Sequence, residues 1–395
     1  ATGAKSTLDV AGAGTEADPY IITEANQLLT ISELVESGAD NGAGLKYADA
    51  VYKQDGDIYF NDISEWGRDD TYGTWTVDSS KVSYSSIKQI GRSKSKPFKG
   101  TYDGDGYTIY GLYHDNDAQA GIFGYVDGAV ITNVNVGTGC VRSANNNSRN
   151  GYGLVVDNVY NNSVISNCTN EATIHYGRGY MGGIAGYVEN STVDNCTNRG
   201  NIYNNYSNTS EGVAGGIAGA IVNAKVNACT NTADIYACAA AGIVCKIGKS
   251  TGDLSVVSSC VNYGTAYYYN SMKVVDNYCA AFSHYNYGTI IDCVNVQDIS
   301  NVLVSYLYGK MYNCYTQGNT KLTNPLHSDT PRDGYAEENI VYDMDMVSLD
   351  FGITNYMKDI ERVLPESGKG TYLLNKNRVV IDEEDKDVHY FQALT

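Results

Sequence analysis

The chain has 395 residues and a formal charge of −18, with 45 acidic side chains against 27 Lys and Arg. A chain this acidic is a poor partner for a nucleic-acid backbone, which binds clustered basic side chains. A hydrophobic content of 43% exceeds that of a disordered chain, and no apolar run is long enough to cross a membrane. We therefore expect a folded protein with no nucleic-acid partner and no membrane insertion.

The amino-terminal part contains three informative segments. GAGTEADPYIITEANQLLTISELV begins at Gly12, PFKGTYDGDGYTIYGLY begins at Pro97, and GIFGYVDGAVITNVNV begins at Gly121. The chain opens at Ala1 without a basic or apolar leader, so we expect a signal peptide to have been removed before it. The DGDG segment at Asp103–Gly106 predicts a hairpin turn. A calcium loop is the alternative, but the rest of an EF-hand pattern is missing there.

These segments resemble the GLUG-motif proteins of bacterial surfaces. The resemblance covers about residues 12–320 and implies a right-handed parallel β-helix, related in shape to pectin lyases, in a secreted or wall-attached protein. It also implies a short helix after Gly12 and a strand pair that ends near Trp66 or Trp75. It does not specify an activity, because this repeat serves in adhesins, in carbohydrate binders and in domains attached to enzymes.

The centre of the chain is a repeat. GIAGYVENSTVDNCTNRGNI from Gly183 and GIAGAIVNAKVNACTNTADI from Gly216 are its clearest copies, and seven copies start 21 to 39 residues apart between Gly121 and Val302. A constant motif with a variable spacer indicates a fixed structural turn that carries loops of different length. Residues 121–320 are almost neutral, with 11 acids and nine bases, so Asn, Ser, Thr, Gly and Tyr must supply their polar surface.

Four columns of like residues run through the copies. The first is aliphatic and comprises Ile131, Ile165, Val193, Val226, Val257, Ile290 and Met311. Three residues later comes a cysteine column of Cys168, Cys196, Cys229, Cys260, Cys293 and Cys314, with Val134 in the first copy. Next comes an asparagine column of Asn170, Asn198, Asn231, Asn262 and Asn295. The last is Ile174, Ile202, Ile235, Ala266 and Ile299.

These short, β-branched segments bounded by Gly and Asn predict strands rather than helices. The three-residue step from the aliphatic residue to the cysteine predicts a corner or bulge between them. Repeated short strands with one corner after another predict an all-β parallel β-helix in which like residues stack along the axis. We expect the asparagine column at a corner, where Asn tolerates the left-handed conformation and can bond its ladder neighbours.

The ten cysteines allow a disulfide set, a metal site or a buried apolar column. There is no C-x-x-C pair, and the five histidines have no zinc-ligand spacing. Free cysteine behaves as a small hydrophobe, and Val134 replaces it in one copy, so we expect free thiols in the core and no metal or cofactor. A Cys279–His284 dyad is the remaining nucleophile hypothesis, and it is based on sequence proximity alone.

The 35 tyrosines provide the main indication of function. Many lie in the variable spacers, which leave the coils at similar places. The predicted ligand-binding set is Tyr176, Tyr180, Tyr203, Tyr206, Tyr236, Tyr267, Tyr268 and Tyr269. Tyrosine offers a large rigid contact area and a hydroxyl, which suits recognition of sugars or proteins. The alternative is that these tyrosines serve only as strand formers.

The acidic carboxy-terminal part leaves the repeat pattern. We predict an amphipathic helix near Met346–Val363 and a hairpin in TYLLNKNRVVI, together capping the coil. The predicted domains are an amino-terminal cap of short helix and strands (1–96), the β-helix repeats (97–324) and a carboxy-terminal cap (325–395).

Three functions compete for this sequence. The first is a secreted or cell-surface, adhesin-like module that binds a glycan or a host protein. The second is a polysaccharide lyase or hydrolase on the β-helix. It would need two or three carboxylates in one patch, and the acids of the repeats fall at different positions. The third is a structural spacer or filament subunit. We favour the binding module and assign no catalytic residue.

Overall fold

The computed structural model describes most of the chain up to residue 316 and four short segments beyond it. The described residues are 7–64, 66–69, 74–84, 87–115, 120–142, 151–176, 178–207, 212–250, 252–270, 273–275, 279–296, 302–316, 336–338, 360–363, 371–374 and 377–380.

Four long sheets wind around one core. Sheet I consists only of parallel pairs, and its strands are Tyr20–Ile22, Val51–Gln54, Thr101–Asp103, Val130–Thr132, Val164–Ser166, Thr192–Asp194, Lys225–Asn227, Val256–Ser258, Thr289–Ile291, Lys310–Tyr312 and Ala336–Glu338. Sheet II is also parallel, with strands Ile58–Tyr59, Thr108–Tyr110, Asn135–Val136, Thr169–Asn170, Thr197–Asn198, Thr230–Asn231, Val261–Asn262, Val294–Asn295 and Tyr315–Thr316.

Sheets III and IV complete each coil. Sheet III contains Tyr113–Asp115, Cys140–Arg142, Thr173–Tyr176, Ile202–Asn204, Ile235–Ala237 and Ala266–Asn270, with Lys273–Val275 antiparallel at its end. Sheet IV contains Phe123–Asp127, Gly151–Gly153, Val156–Tyr160, Gly179–Gly182, Ala185–Glu189, Gly212–Gly215, Ala218–Val222, Ala239–Ala241, Val244–Ile247, Ala280–Asn286 and Val302–Leu307. The chain passes through the sheets in the order I, II, III and IV, so the predicted all-β parallel solenoid is confirmed.

The core of the solenoid consists of the predicted columns. In sheet I, Ile165 pairs with Ile131 on one side and with Val193 on the other, and Val226 follows Val193 in register. All four side chains are fully buried. One face of every coil therefore packs only against the neighbouring coils, which is how a solenoid buries an apolar face that a single repeat cannot.

The corner predicted before each cysteine is formed by residues with positive φ. They are Asn133, Asn167, Asn195, Ala228, Ser259, Asp292 and Asn313, with φ between 49° and 55°. Asn and Asp favour this left-handed conformation because their short polar side chains tolerate it. The prediction had assigned the conformation to the Asn170 column, which is wrong, because Asn170 and Asn198 lie in extended strands of sheet II.

The DGDG segment is a corner of the solenoid and not the predicted hairpin. The strand before it, Thr101–Asp103, belongs to sheet I, and the strand after it, Thr108–Tyr110, belongs to sheet II. The Asp103 carboxylate accepts a hydrogen bond from the backbone N–H of Asp105, so it stabilises the turn locally. The Asp-Gly pattern therefore marks a turn. The strands on either side of this turn pair with strands of the neighbouring coils and not with each other.

The amino-terminal residues contain the one α-helix of the described segments, Ala25–Ser37. Glu24 and Gln27 form a capping box at its start, and Gly38 ends it in the left-handed conformation. Two short 3₁₀ turns occur at Tyr47–Asp49 and Ser79–Lys81, and Gly67–Asp69 pairs antiparallel with Thr74–Thr76. Sheet I already begins within these residues, and the predicted domain boundary at residue 96 stays a prediction.

Beyond residue 316 only short strands are described. Ile360–Val363 pairs antiparallel with Thr371–Leu374, which pairs antiparallel with Asn377–Val380. The helix predicted near 346–363 is therefore wrong at its end, because the backbone groups of 360–363 bond to the neighbouring strand. The rest of the predicted helix lies outside the described residues.

Candidate functional site

Three of the predicted tyrosines form a continuous stack on sheet III, here called the tyrosine ladder (Tyr203, Tyr236 and Tyr267). The ring centroids of Tyr203 and Tyr236 are 4.6 Å apart with planes at 8°, and those of Tyr236 and Tyr267 are 4.8 Å apart at 11°. Each ring belongs to the next coil along the axis. The ladder therefore repeats at the spacing of neighbouring strands.

Strand alternation explains why these rings face outward. Ile202, Ile235 and Ala266 pair in register and belong to the core, and each ladder tyrosine follows one of them in the chain. Successive side chains of a strand point to opposite faces, so a core residue is followed by an outward one. The ladder thus results from the pattern of core residue and tyrosine recurring in three consecutive coils.

Stacking determines what the ladder can offer to a ligand. Tyr203 is only 2% exposed, and Tyr236 and Tyr267 are half-buried. The ring faces contact one another, so the accessible part of the ladder is the outer edge of Tyr236 and Tyr267. Burial, followed by the charge of Asp234, raises the pKa of the Tyr236 hydroxyl above its ordinary value. Tyr236, the middle ring, therefore presents a neutral phenol hydroxyl at ordinary pH.

The other predicted tyrosines lie apart from the ladder. Tyr180 contacts the ring of Tyr187 at 5.9 Å, and Arg178 lies 5.5 Å from the ring centroid of Tyr206. Tyr268 packs against the core, as expected from its alternation with Tyr267 and Tyr269. The side chain of Tyr176 lies outside the described residues. The structure thus brings three of the eight together, whereas Tyr180, Tyr206 and Tyr268 each make separate contacts.

Further aromatic pairs were not predicted from the sequence. Tyr285 stacks on Tyr306 at 5.1 Å, and Tyr287 stacks on Tyr308 at 4.6 Å. The signal was present in the chain, because YNY from Tyr285 and YLY from Tyr306 place tyrosines two residues apart in adjacent coils. Near the amino-terminal end, Tyr59 is 58% exposed and stacks on Tyr110 at 4.9 Å.

The asparagine column is a buried ladder of side-chain amides. Nδ2 of each member donates to Oδ1 of the next over four successive links of 2.8, 2.9, 3.0 and 2.9 Å, from Asn170 to Asn295. Nδ2 of Asn231 also donates to the carbonyl of Ala233 at 2.9 Å, which closes a turn within one coil. The ladder satisfies polar groups that the core would otherwise leave without partners.

Glycines of the sheet IV bend lie against this ladder. A methyl group at Gly183 would overlap the side-chain amide of Asn198, and methyl groups at Gly216 and Gly242 would overlap the corresponding amides in the next coils. In these three coils the bend therefore requires glycine opposite the asparagine amide. This contact connects two parts of the repeat that lie 15 residues apart in the chain, Gly183 and Asn198.

The cysteine column lies in the core beside the asparagines. All six thiols are free and buried, and each donates to the carbonyl two residues earlier at 3.1–3.4 Å. The backbone N–H of Cys168 and that of Cys196 each donate to the sulfur of the next coil at 3.4 Å. Burial raises the pKa of both thiols well above the usual range, so they stay protonated and unreactive.

We expect the native protein to resist thiol reagents. Ellman's reagent should titrate at most about one thiol in the folded chain and all ten after unfolding in denaturant, because the nine cysteines that the structure describes are buried. A count far below ten after unfolding would contradict the free-thiol arrangement. Rapid reaction of several thiols before unfolding would contradict their burial.

Asp157 is a buried carboxylate that the sequence analysis did not single out. Oδ1 accepts hydrogen bonds from the backbone N–H groups of Gly121 and Gly153, both at 3.1 Å. Oδ2 accepts from Gln89 Nε2 at 2.8 Å and from the N–H of Ala120 at 3.4 Å. Burial raises the pKa of Asp157 to about 7, although these donors act in the opposite direction. Asp157 therefore links successive coils to the amino-terminal segment.

This raised pKa predicts a loss of stability with rising pH. An unfolded Asp titrates near pH 4, so the folded state holds a proton between pH 4 and 7 that the unfolded state has lost. The stabilisation is complete below pH 4 and disappears as the pH passes 7. From pH 5 to pH 9, the wild type should lose about 3 kcal/mol relative to Asp157→Asn in urea unfolding. Parallel pH profiles of the two proteins would contradict this linkage.

The two residues of the Cys279–His284 hypothesis have different surroundings in the structure. Cys279 belongs to the core cluster, whereas the ring of His284 contacts Tyr285 at 4.5 Å and Tyr306 at 5.4 Å.

A second cysteine, Cys245, lies opposite His284 in the neighbouring coil. Lys246 pairs with Tyr285, and Cys245 and His284 each come one residue before that pair. The Cys245 thiol donates to a carbonyl at 3.0 Å, and burial raises its pKa to about 12. Such a thiol is a poor nucleophile at neutral pH.

The described residues also bear on metal binding and on membrane insertion. Among those residues, no group of three or more His, Cys, Asp and Glu side chains is arranged to hold a metal ion. No helix within the described ranges is long and apolar enough to cross a membrane.

Comparison with known proteins identifies one motif and one architecture. The model of the GLUG motif matches residues 177–203, and no curated protein matches the chain. A crystal structure from Bacteroides ovatus, described as a "putative immunoglobulin A1 protease", is similar with a TM-score of 0.50 and 19% identity, over 84% of this chain and 86% of that one. A structure described as "IgA1 Protease" has a TM-score of 0.45 and 15% identity, over 80% of this chain and 23% of that one.

The matched motif spans almost one coil. It includes the bend at Gly183, one cysteine of the core column, Asn198 and the first ring of the tyrosine ladder, Tyr203. The similarity to the solved structure shows the fold alone at this identity. The chain carries a GLUG motif within a parallel β-solenoid, and the resemblance of its repeats to GLUG-motif proteins is thereby confirmed.

Proposed function

We propose that this chain is a bacterial surface or secreted protein that binds a glycan along the outer face of its solenoid, with the tyrosine ladder as the contact surface. The observation that carries the proposal is the alignment of Tyr203, Tyr236 and Tyr267 in three consecutive coils. A ridge of regularly spaced hydroxyl groups suits a linear polymer with its own regularly spaced polar groups.

The surroundings of the ladder favour a sugar over a charged ligand. Asn201 lies beside Tyr203, with 3.5 Å between its Nδ2 and the Tyr203 hydroxyl. Amide and hydroxyl groups pair with sugar hydroxyls in the way that they pair with water. Tyrosine adds contact area at a low cost in side-chain entropy.

The scaffold also suits binding. The amide and cysteine columns hold the coils in fixed register, so the outward rings keep their spacing without a ligand. A preorganised surface loses little conformational entropy on binding. The enzymatic alternative receives no comparable support, because the carboxylate of Asp157 is occupied by four donors and the described core thiols are buried.

A glycan array with the full chain, followed by titration of any ligand, tests the proposal. The double variant Tyr236→Phe/Tyr267→Phe keeps both rings in the stack and removes two hydroxyls. A neutral hydrogen bond contributes about 1 kcal/mol, so we expect affinity to fall at least about tenfold. Tyr125→Phe changes a half-buried tyrosine of sheet IV and should bind as the wild type does.

Three outcomes would overturn the proposal. One is an array without any ligand, and another is full affinity in the double variant. The third is a ligand that proves to be a host protein whose binding survives removal of the hydroxyls, which would place recognition elsewhere.

A further inference from the structure

The tyrosine ladder places oxidisable rings closer together than an unfolded chain would. Its three rings are stacked in nearly parallel planes, with centroid separations of 4.6 and 4.8 Å. Tyr236 is the middle ring and has a partner on each side. In contrast, Tyr206 lies near Tyr203 in the chain, but its ring faces the guanidinium of Arg178.

We propose that the ladder is a site of oxidative cross-linking, at which Tyr236 forms dityrosine with Tyr203 or Tyr267 when a peroxidase and hydrogen peroxide supply the oxidant. The modification would join adjacent coils covalently on the outer face of sheet III. It does not depend on the glycan proposal, and its test requires no ligand.

The reaction balances without any group from the protein other than the two phenols. Each phenol loses one electron and one proton and becomes a phenoxyl radical. The two radicals couple through ring carbons ortho to oxygen, and the two hydrogens on those carbons leave as protons while the phenol hydroxyls are restored. In sum, two tyrosines and one hydrogen peroxide give one dityrosine and two molecules of water.

Proximity makes coupling within the ladder faster than coupling between molecules. Two groups held in contact react as if each were present at a very high effective concentration. The charge of Asp234 and its hydrogen bond with the hydroxyl affect Tyr236, so a carboxylate is available to accept the phenol proton as the electron leaves. Tyr236 and Tyr267 are half-buried, so the hydroxyl edge of the ladder can reach an oxidant in solution.

Trypsin mapping shows which neighbouring coil is joined to Tyr236. Cleavage after Lys225 and Lys246 releases Val226–Lys246, a peptide whose single tyrosine is Tyr236. After dilute native protein is treated with peroxidase and hydrogen peroxide, mass spectrometry should find this peptide joined to Gly200–Lys225 or to Ser250–Lys273. The joined mass should equal the sum of the two peptides less two hydrogen atoms.

Three matched samples decide the result. Tyr236→Phe keeps the stack but cannot form a phenoxyl radical, so both species should disappear. Tyr206→Phe removes the other tyrosine of Gly200–Lys225 and should leave them unchanged. Wild type oxidised in urea should lose the preference for neighbouring coils. The proposal is overturned if Val226–Lys246 stays unlinked in the native protein, or if it couples equally well to peptides from distant coils or other molecules.

Discussion

Replacing Asn231 with alanine is expected to destabilise the solenoid by about 3–5 kcal/mol, because it breaks the amide ladder at its centre. Asn231 Oδ1 accepts from Asn198 Nδ2 at 2.9 Å, and Asn231 Nδ2 donates to Asn262 Oδ1 at 3.0 Å. Alanine leaves one donor and one acceptor without partners in a fully buried position. The carbonyl and the N–H of Ala233 lose their side-chain partner as well.

Urea unfolding followed by circular dichroism measures this effect. Asn135→Ala is the matched control, because Nδ2 of Asn135 makes a single exposed bond to the carbonyl of Gly106. The control should remain within about 0.5 kcal/mol of the wild type. A loss below about 1 kcal/mol for Asn231→Ala would show that water or a relaxed neighbour replaces the missing amide.

The columns could be predicted from the sequence because the same types of residue recur at the same offsets in each coil. The positions of Ile165, Cys168 and Asn170 recur with fixed offsets, and a parallel solenoid is the arrangement that stacks them. The conformation at each position was harder to assign. Both Asn167 and Asn170 are asparagines, but the first turns the chain and the second extends the amide ladder. Composition does not distinguish these roles, because the first is a backbone conformation and the second is a side-chain contact between coils.

The tyrosine surface was only partly predictable, because the spacers differ in length. Tyr203, Tyr236 and Tyr267 share a fixed offset from a core residue, so their alignment follows from the columns. Tyr180 and Tyr206 lie within the spacers, where the sequence does not reveal the register. Asp157 was missed for a related reason, since its donors come from separate stretches of the chain, among them Gln89 and Gly121.

The glycines of the GLUG motif predict the second large effect, at Gly186. A methyl group there would overlap the backbone nitrogen of Tyr152, which belongs to the preceding coil. Backbone atoms of a packed coil cannot move aside as a flexible side chain can. We therefore expect Gly186→Ala to cost at least about 4 kcal/mol and to yield little folded protein.

Gly139→Ala separates this steric effect from the general effect of adding a methyl group to a buried glycine. The nearest atom to a methyl group at Gly139 is the carbonyl oxygen of Leu112 at 3.0 Å, so a small shift accommodates it. Its stability should stay within about 1 kcal/mol of the wild type, since alanine also restricts the unfolded chain. Thermal unfolding of both variants beside the wild type measures the difference. Equal stability of the two variants would mean that the neighbouring coils can move apart at Gly186. The repeat would then need this glycine for a reason other than close contact between backbones.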